Sequence, residues 1–327
     1  MRVVSLLPSA TEMLCRIGGG SLLVGRSHEC DWPPEARRLP VLTTARTEFV
    51  SSAQVDAGVS AALASGLALY DLDVELLGRL RPDLILTQDL CRVCSIDLAC
   101  VRSVAESLPT RARVVSLDAL TVEGILDDVL AVGRAVGLDD NAAAAVIELR
   151  QRLYAAGDFV NPYGEGPVVA FLEWTDPPFV AGHWTAQLVE RAGARHPLNP
   201  TVPSAGAGAA AGPIGSTART AAASRRVSHD ELGAARPDVL VVCPCGLDLA
   251  RARAEFAALA GAPWFDDLPA VRRARSGITP AVAIVDGNQY FNRPGPRLVD
   301  AFEWLVGYLN DRPELIPMGF AWEAWTG

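Results

Sequence analysis

One phrase occurs twice in this chain, and it constrains the fold more than any other feature. Residues 81–88 read RPDLILTQ and lead into DLCRVC, while residues 236–242 read RPDVLVV and lead into CPCG. Each copy has a helix-like approach, a Pro-Asp turn, a short apolar strand and then two closely spaced cysteines. A second echo supports the first: VVSLL at Val3–Leu7 and VVAFL at Val168–Leu172. The pairs 81/236 and 3/168 are separated by 155 and 165 residues in the same order, which points to two similar lobes. Open α/β sheets bind ligands beyond the carboxyl ends of their strands. The residues that follow these strands are therefore the candidates for chemistry.

The 327 residues are enough for two domains of ordinary size, and half of them are apolar. A net charge of −9 disfavours a nucleic-acid partner, which would need a positive face. No apolar stretch reaches the roughly 18 residues needed to span a bilayer. MRVVSLL reads as a first strand with no charged leader before it, so the expectation is a cytoplasmic protein. Its seven cysteines would then be thiols rather than a disulfide scaffold. Nothing in the sequence specifies an oligomeric state.

Strands alternate with helices, which predicts an α/β fold with largely parallel sheets. Expected strands include Val3–Leu7, Leu84–Thr87, Val114–Leu117, Val168–Leu172 and Val282–Val285. Ser9 with Glu12, and Ser228 with Glu231, have the spacing of capping boxes. A long helical region, Val122–Ala156, has weak points at Gly133 and Gly137, and one of its helices is expected to bridge the lobes. The expected division is a first lobe over 1–120, a helical connector over 121–160 and a second lobe over 161–296. Residues 297–327 form a closing helix and tail. Residues 200–223 are rich in Ala, Gly, Ser and Thr without an apolar period and read as a flexible insertion.

Two groups of residues could carry chemistry. His28, Cys30, Cys91, Cys94, Cys243 and Cys245 form a candidate metal set suited to zinc or iron. In an extended segment Cys243 and Cys245 would face the same way. Cys91-x-x-Cys94 also suits a redox dithiol. Cys15 reads as core packing. Trp32, Glu173, Trp174, Phe179, His183 and Trp184 follow strands and form a candidate ligand set, whose aromatics could stack on a flat molecule. Asn288, Tyr290, Asn292 and Arg293, after the last strand, add hydrogen-bonding groups and one fixed positive charge. The sequence contains no GxGxxG, Walker loop, HExxH or GxSxG.

MRVVSLLPSATEMLCRIG, LVGRSHECDWPP, RPDLILTQDLC, FLEWTDPPFVAGHW, RPDVLVVCPCG and VDGNQYFNRPGPRLVD together resemble the cobalamin and iron-chelate periplasmic-binding superfamily, and within it the vitamin B12-binding-protein-like branch. The resemblance implies two similar α/β lobes joined by a long helix, with a ligand held in the cleft between them. It implies a non-catalytic protein that binds cobalamin, haem or another metal tetrapyrrole or chelate. Transport members of the superfamily deliver such ligands to an ABC permease. The absence of a leader and of a lipid-anchor cysteine argues against that partner. Two alternatives come from the residues themselves. One is a bare-metal protein, or a zinc or iron enzyme, built on the Cys/His set. The other is a thiol redox enzyme using Cys91 and Cys94.

Overall fold

A computed structural model describes residues 1–46, 49–65, 67–89, 96–161, 163–277 and 281–327. The chain divides into two compact units. Unit 1 comprises Met1–Val50, Gln54–Ala119 and Gly124–Leu149; unit 2 comprises Ser51–Ala53, Leu120–Glu123 and Arg150–Gly327. The first half of the chain runs β1 (Val3–Ser5), α1 (Pro8–Arg16), β2 (Leu23–Arg26), β3 (Thr43–Ala45), α2 (Ser52–Ala64), β4 (Tyr70–Leu72), α3 (Val74–Leu80), β5 (Leu84–Thr87), α4 (Leu98–Ser107), β6 (Arg113–Ser116), α5 (Val122–Val136) and α6 (Asp139–Gly157). The second half runs β7 (Val169–Thr175), β8 (Pro178–Val180), α7 (His183–Arg191), β9 (Val202–Pro203), β10 (Arg219–Thr220), β11 (Arg225–Arg226), α8 (His229–Ala234), β12 (Val239–Val242), α9 (Leu249–Ala260), α10 (Pro269–Arg275), β13 (Val282–Val285), α11 (Leu298–Leu309) and β14 (Trp322–Ala324).

Unit 1 has a parallel sheet in the order β2-β1-β5-β6. Unit 2 has a sheet in the order β11-β8-β7-β12-β13-β14, parallel through β7, β12 and β13 and antiparallel at both flanks. β5, β12 and β13 are buried along their whole length, which is why they read as unbroken apolar runs. The core of unit 1 joins Val4, Leu42, Leu77, Ile85 and Val101. In unit 2 it joins Leu172, Leu240, Phe256, Phe265, Val271 and Ile284.

The repeated phrase does the same work in both units. Arg81 and Arg236 turn the chain with left-handed φ values of 46° and 49°. Pro82 and Pro237 are buried. The following aspartates then clamp the first strand of their sheet. Asp83 Oδ2 accepts from the Arg2 N–H at 2.7 Å, and the N–H groups of Asp83 and Leu84 donate to Arg2 O. Asp238 Oδ2 accepts from the Val168 N–H at 2.9 Å, and the N–H groups of Asp238 and Val239 donate to Val168 O. These contacts set the register of β5 on β1 and of β12 on β7.

The long helical region is two helices, α5 and α6. The break falls at Gly137, whose φ of +75° only glycine adopts without strain. A Cβ on Gly133 would lie 2.4 Å from that of Ala142, so the small residue lets the two helices touch. The capping box at Ser228 and Glu231 is present. The expected one at Ser9 and Glu12 is not. Pro8 starts α1 two residues earlier than a Ser9 cap would, Leu7 becomes the N-cap, and Ser9 and Glu12 are buried within the helix. Residues 200–223 contain an antiparallel β9–β10 pair, tied down by Arg219 donating to Thr201 O at 2.7 Å and to Thr201 Oγ1 at 2.9 Å. Composition gave no sign of this, because the order comes from side-chain bonds rather than an apolar period.

The clamp is directly testable. Asp238→Ala leaves the Val168 N–H without its carboxylate and is expected to lower stability by about 1–2 kcal/mol. Asp238→Asn, which still offers an acceptor, should cost less than half of that. Urea unfolding measures both, and equal losses would remove the clamp.

Candidate functional site

In unit 2 the strands β7, β12 and β13 lie side by side and end at one edge, where backbone bonds lace their exits together. Cys243 N–H donates to Leu172 O at 2.8 Å and Cys245 N–H to Glu173 O at 2.9 Å. Gly246 N–H donates to Gly287 O at 3.0 Å, and Gly287 N–H to Leu247 O at 2.8 Å. A Cβ on Gly287 would stand 1.9 Å from Pro244 O. Only glycine permits this approach between the CPCG and DGN turns.

The two thiols of the CPC segment do not share a direction. Cys243 is fully buried, its sulfur 3.8 Å from Asp286 O, and Cys245 is exposed. The expectation of same-facing sulfurs assumed an extended chain. Instead Leu247 N–H closes a turn on Pro244 O at 3.1 Å and Gly246 takes φ +77°. Burial, and then the nearby Glu173 charge, pushes the Cys243 thiol well above its ordinary pKa. It is a neutral thiol at physiological pH.

Asn292 and Arg293 are part of the architecture of this edge. Asn292 Nδ2 donates to Gly287 O at 2.8 Å and Cys243 O at 3.2 Å. Arg293 is buried, with Nη2 donating to Asn288 Oδ1 at 3.2 Å. Trp184 is likewise turned inward. It is 8% exposed and its Nε1 donates to Phe291 O at 2.7 Å.

The other candidates of unit 2 remain half-buried along the same edge. Glu173 accepts from Ser224 Oγ. Trp174 Nε1 donates to Ser52 O at 3.1 Å. The Arg226 guanidinium lies 5.6 Å from the Phe179 ring centroid. His183 and Tyr290 both hold left-handed φ values of 47°, and the residue after each joins their loops through the Trp184–Phe291 bond. Tyr290 stacks on Phe320 at 4.1 Å. Strained non-glycine residues persist only where the surroundings enforce them, and they gather at functional sites. Burial lowers the His183 pKa below the usual histidine value, so its imidazole is neutral at pH 7. Asp286 was missed in the sequence. It lies inside the DGN turn, its Oδ1 accepts from Asn288 N–H at 2.9 Å, and burial raises its pKa.

In unit 1, His28, Cys30 and Trp32 follow β2. His28 Nδ1 lies 2.6 Å from Thr43 Oγ1, and Nε2 lies 3.2 Å from Glu29 Oε1. The latter contact lacks the alignment of a hydrogen bond. Cys30 is fully buried and its sulfur accepts from Thr11 Oγ1 at 3.1 Å. Trp32 is 45% exposed. Cys91 and Cys94 lie outside the described residues. Cys15 is half-buried, and its pKa is pushed up to about 11 by burial and by Glu12. Among the described residues no three His, Cys, Asp or Glu side chains are grouped to hold a metal ion. Cys30 and Cys243 of the proposed Cys/His metal set are each fully buried. No helix among the described residues is long and apolar enough to cross a membrane.

No family model matches the chain, and no curated protein matches it. Solved structures do. A periplasmic heme-binding protein from Pseudomonas aeruginosa is 21% identical, with a TM-score of 0.67 over 95% of this chain and 92% of that one. The periplasmic vitamin B12-binding protein BtuF of Vibrio cholerae is 20% identical, with a TM-score of 0.63 over 96% and 98%. The periplasmic heme-binding protein HutB of Vibrio cholerae is 17% identical, with a TM-score of 0.62 over 97% and 99%. The chain has the fold of these binding proteins, as the sequence motifs implied. The expectation of a cytoplasmic protein is corrected by the same comparisons, because the proteins that share the fold are periplasmic.

Two results should follow from this geometry. Gly287→Ala forces the CPCG and DGN turns apart and should cost at least about 2 kcal/mol in denaturant unfolding. Brief maleimide labelling of the native protein, mapped by mass spectrometry, should modify Cys245 and Cys100 while sparing Cys30 and Cys243. Labelling of Cys243 as fast as Cys245 would contradict the buried assignment.

Proposed function

We propose that this protein binds a metal-containing tetrapyrrole or metal chelate without transforming it. The observation that carries this reading is the shared fold, over almost the full length of both chains, with proteins named for binding heme and vitamin B12. The carboxyl edge of unit 2 has suitable chemistry. Trp174, Phe179 and Tyr290 offer aromatic surface for a flat macrocycle. Glu173 and Asn288 offer hydrogen-bonding groups at the rim. His183 presents a neutral imidazole, the form that ligates metals, from a backbone position that allows little rearrangement. In unit 1, His28 and Trp32 are the corresponding candidates.

Titration with haemin and with cyanocobalamin tests the reading. One of them is expected to give a saturable shift of its absorbance bands. His183→Asn, which tolerates a left-handed φ but has no imidazole, should weaken that ligand about tenfold, or about 1.4 kcal/mol, and change its spectrum. Because the folded His183 pKa is lowered, its lone pair is available at pH 7 and is lost only as the pH falls through that lowered value. Binding should therefore weaken as the pH falls below the ordinary histidine range. Absence of any spectral change and of co-elution with both ligands would overturn the proposal.

A further inference from the structure

His196 belongs to none of the candidate sets, yet it occupies an unusual place. It is 1% exposed, and both ring nitrogens face backbone carbonyls: Nδ1 lies 3.0 Å from Val169 O and Nε2 lies 3.1 Å from Ala181 O. A carbonyl oxygen can only accept. A neutral imidazole has one N–H and one lone pair, so it can satisfy one of these oxygens and must turn a lone pair towards the other. Only the doubly protonated ring donates to both.

The repeated architecture shows why the histidine is there. In unit 1, α1 is followed by Gly18 and then by β2, which pairs in parallel with β1. In unit 2, α7 is followed by Gly193, with nearly the same φ (84° and 85°). The chain then makes only an isolated parallel bridge, Val168 to Arg195, because β8 occupies the edge of β7 further along. His196 follows that bridge, and its side chain reaches the Val169 and Ala181 carbonyls. One of them, Ala181 O, lies two residues before His183. Asn199 Nδ2 donates to the same oxygen at 3.0 Å and to Ala223 O at 3.0 Å, and His183 N–H donates to Ala222 O at 2.9 Å. The Ala181–His183 turn is thus held by His196, Asn199 and the 222–223 backbone.

We propose that His196 is a protonation-dependent clamp on the Ala181–His183 turn: the doubly protonated ring bonds both carbonyls, and the neutral ring releases one of them. Two charged groups act on it, Glu190 of α7 and Arg225 of β11. Glu190, itself held by Thr201 N–H at 3.0 Å, favours the proton, and Arg225 opposes it. Burial pushes the His196 pKa down, against the pull of the two carbonyls. The clamp therefore closes on the acid side of the ordinary histidine range. The clamp positions His183 rather than touching a ligand. Its consequence for binding rests on the role proposed for His183, but its existence does not.

The test is free of ligand, so it can fail or succeed independently of the binding reading. In a His183→Asn background, which removes that residue's own titration, nitrogen-15 NMR follows the His196 ring and the Gly182 peptide, whose carbonyl is Ala181 O. Between pH 8 and pH 4.5 the His196 ring is expected to pass from one protonated nitrogen to two, with a midpoint below 6.5. The Gly182 amide should move with the same midpoint. Adding His196→Gln should leave Gly182 flat across the range. Should that double variant not fold, the His183→Asn titration decides alone. A Gly182 signal that ignores the His196 titration, or a His196 ring that keeps a single proton until the protein unfolds, would overturn the clamp.

Discussion

In each unit one carboxylate closes the start of the sheet. Asp83 and Asp238 accept a backbone N–H from the residue that leads into β1 or β7, while the adjoining amides return the bond to that residue's carbonyl. These bonds pin the register of β5 on β1 and of β12 on β7. Everything at the opposite, carboxyl end follows from this. A register slip of one residue in a strand would exchange its faces and move Glu173, Cys243 and Asp286 away from their present partners. The left-handed turn at Arg81 and Arg236, with its buried proline, lets the clamp form immediately after a helix or turn.

The edge that the clamp organises is built largely from backbone. Gly287 and Pro244 bring two turns into contact, Asn292 spans their carbonyls, and the bond from Trp184 to Phe291 ties the His183 loop to the Tyr290 loop. What is left partly exposed on this frame is a short set of aromatic and polar side chains. Preorganised contacts of this kind reduce the ordering cost of binding a ligand.

Much of the fold was legible in the sequence. The RPD phrase pointed to two similar lobes, and β5 and β13 span the residues that their apolar patterns predict. The candidate site was legible only by position. Strand ends identified the right loops but not which side chains leave them. Cys243 and Trp184 were counted as binding groups because of their residue types, and the structure encloses both. The difference arises from tertiary constraints: the tight turn at Gly246 rotates one thiol inward, and the Phe291 carbonyl provides a buried partner for an indole N–H. His196 was passed over for the opposite reason. Its partners are backbone carbonyls distant in sequence, and a single histidine after a glycine carries no local sign of them.

The most direct measurement of the central claim is amide hydrogen exchange with and without haemin or cyanocobalamin at saturating concentration. Added protection is expected in the segments that follow the strands of unit 2, residues 173–183, 243–247 and 286–293, with α9 and α10 unchanged. Protection confined to other surfaces, with these three segments unaffected by either ligand, would contradict it.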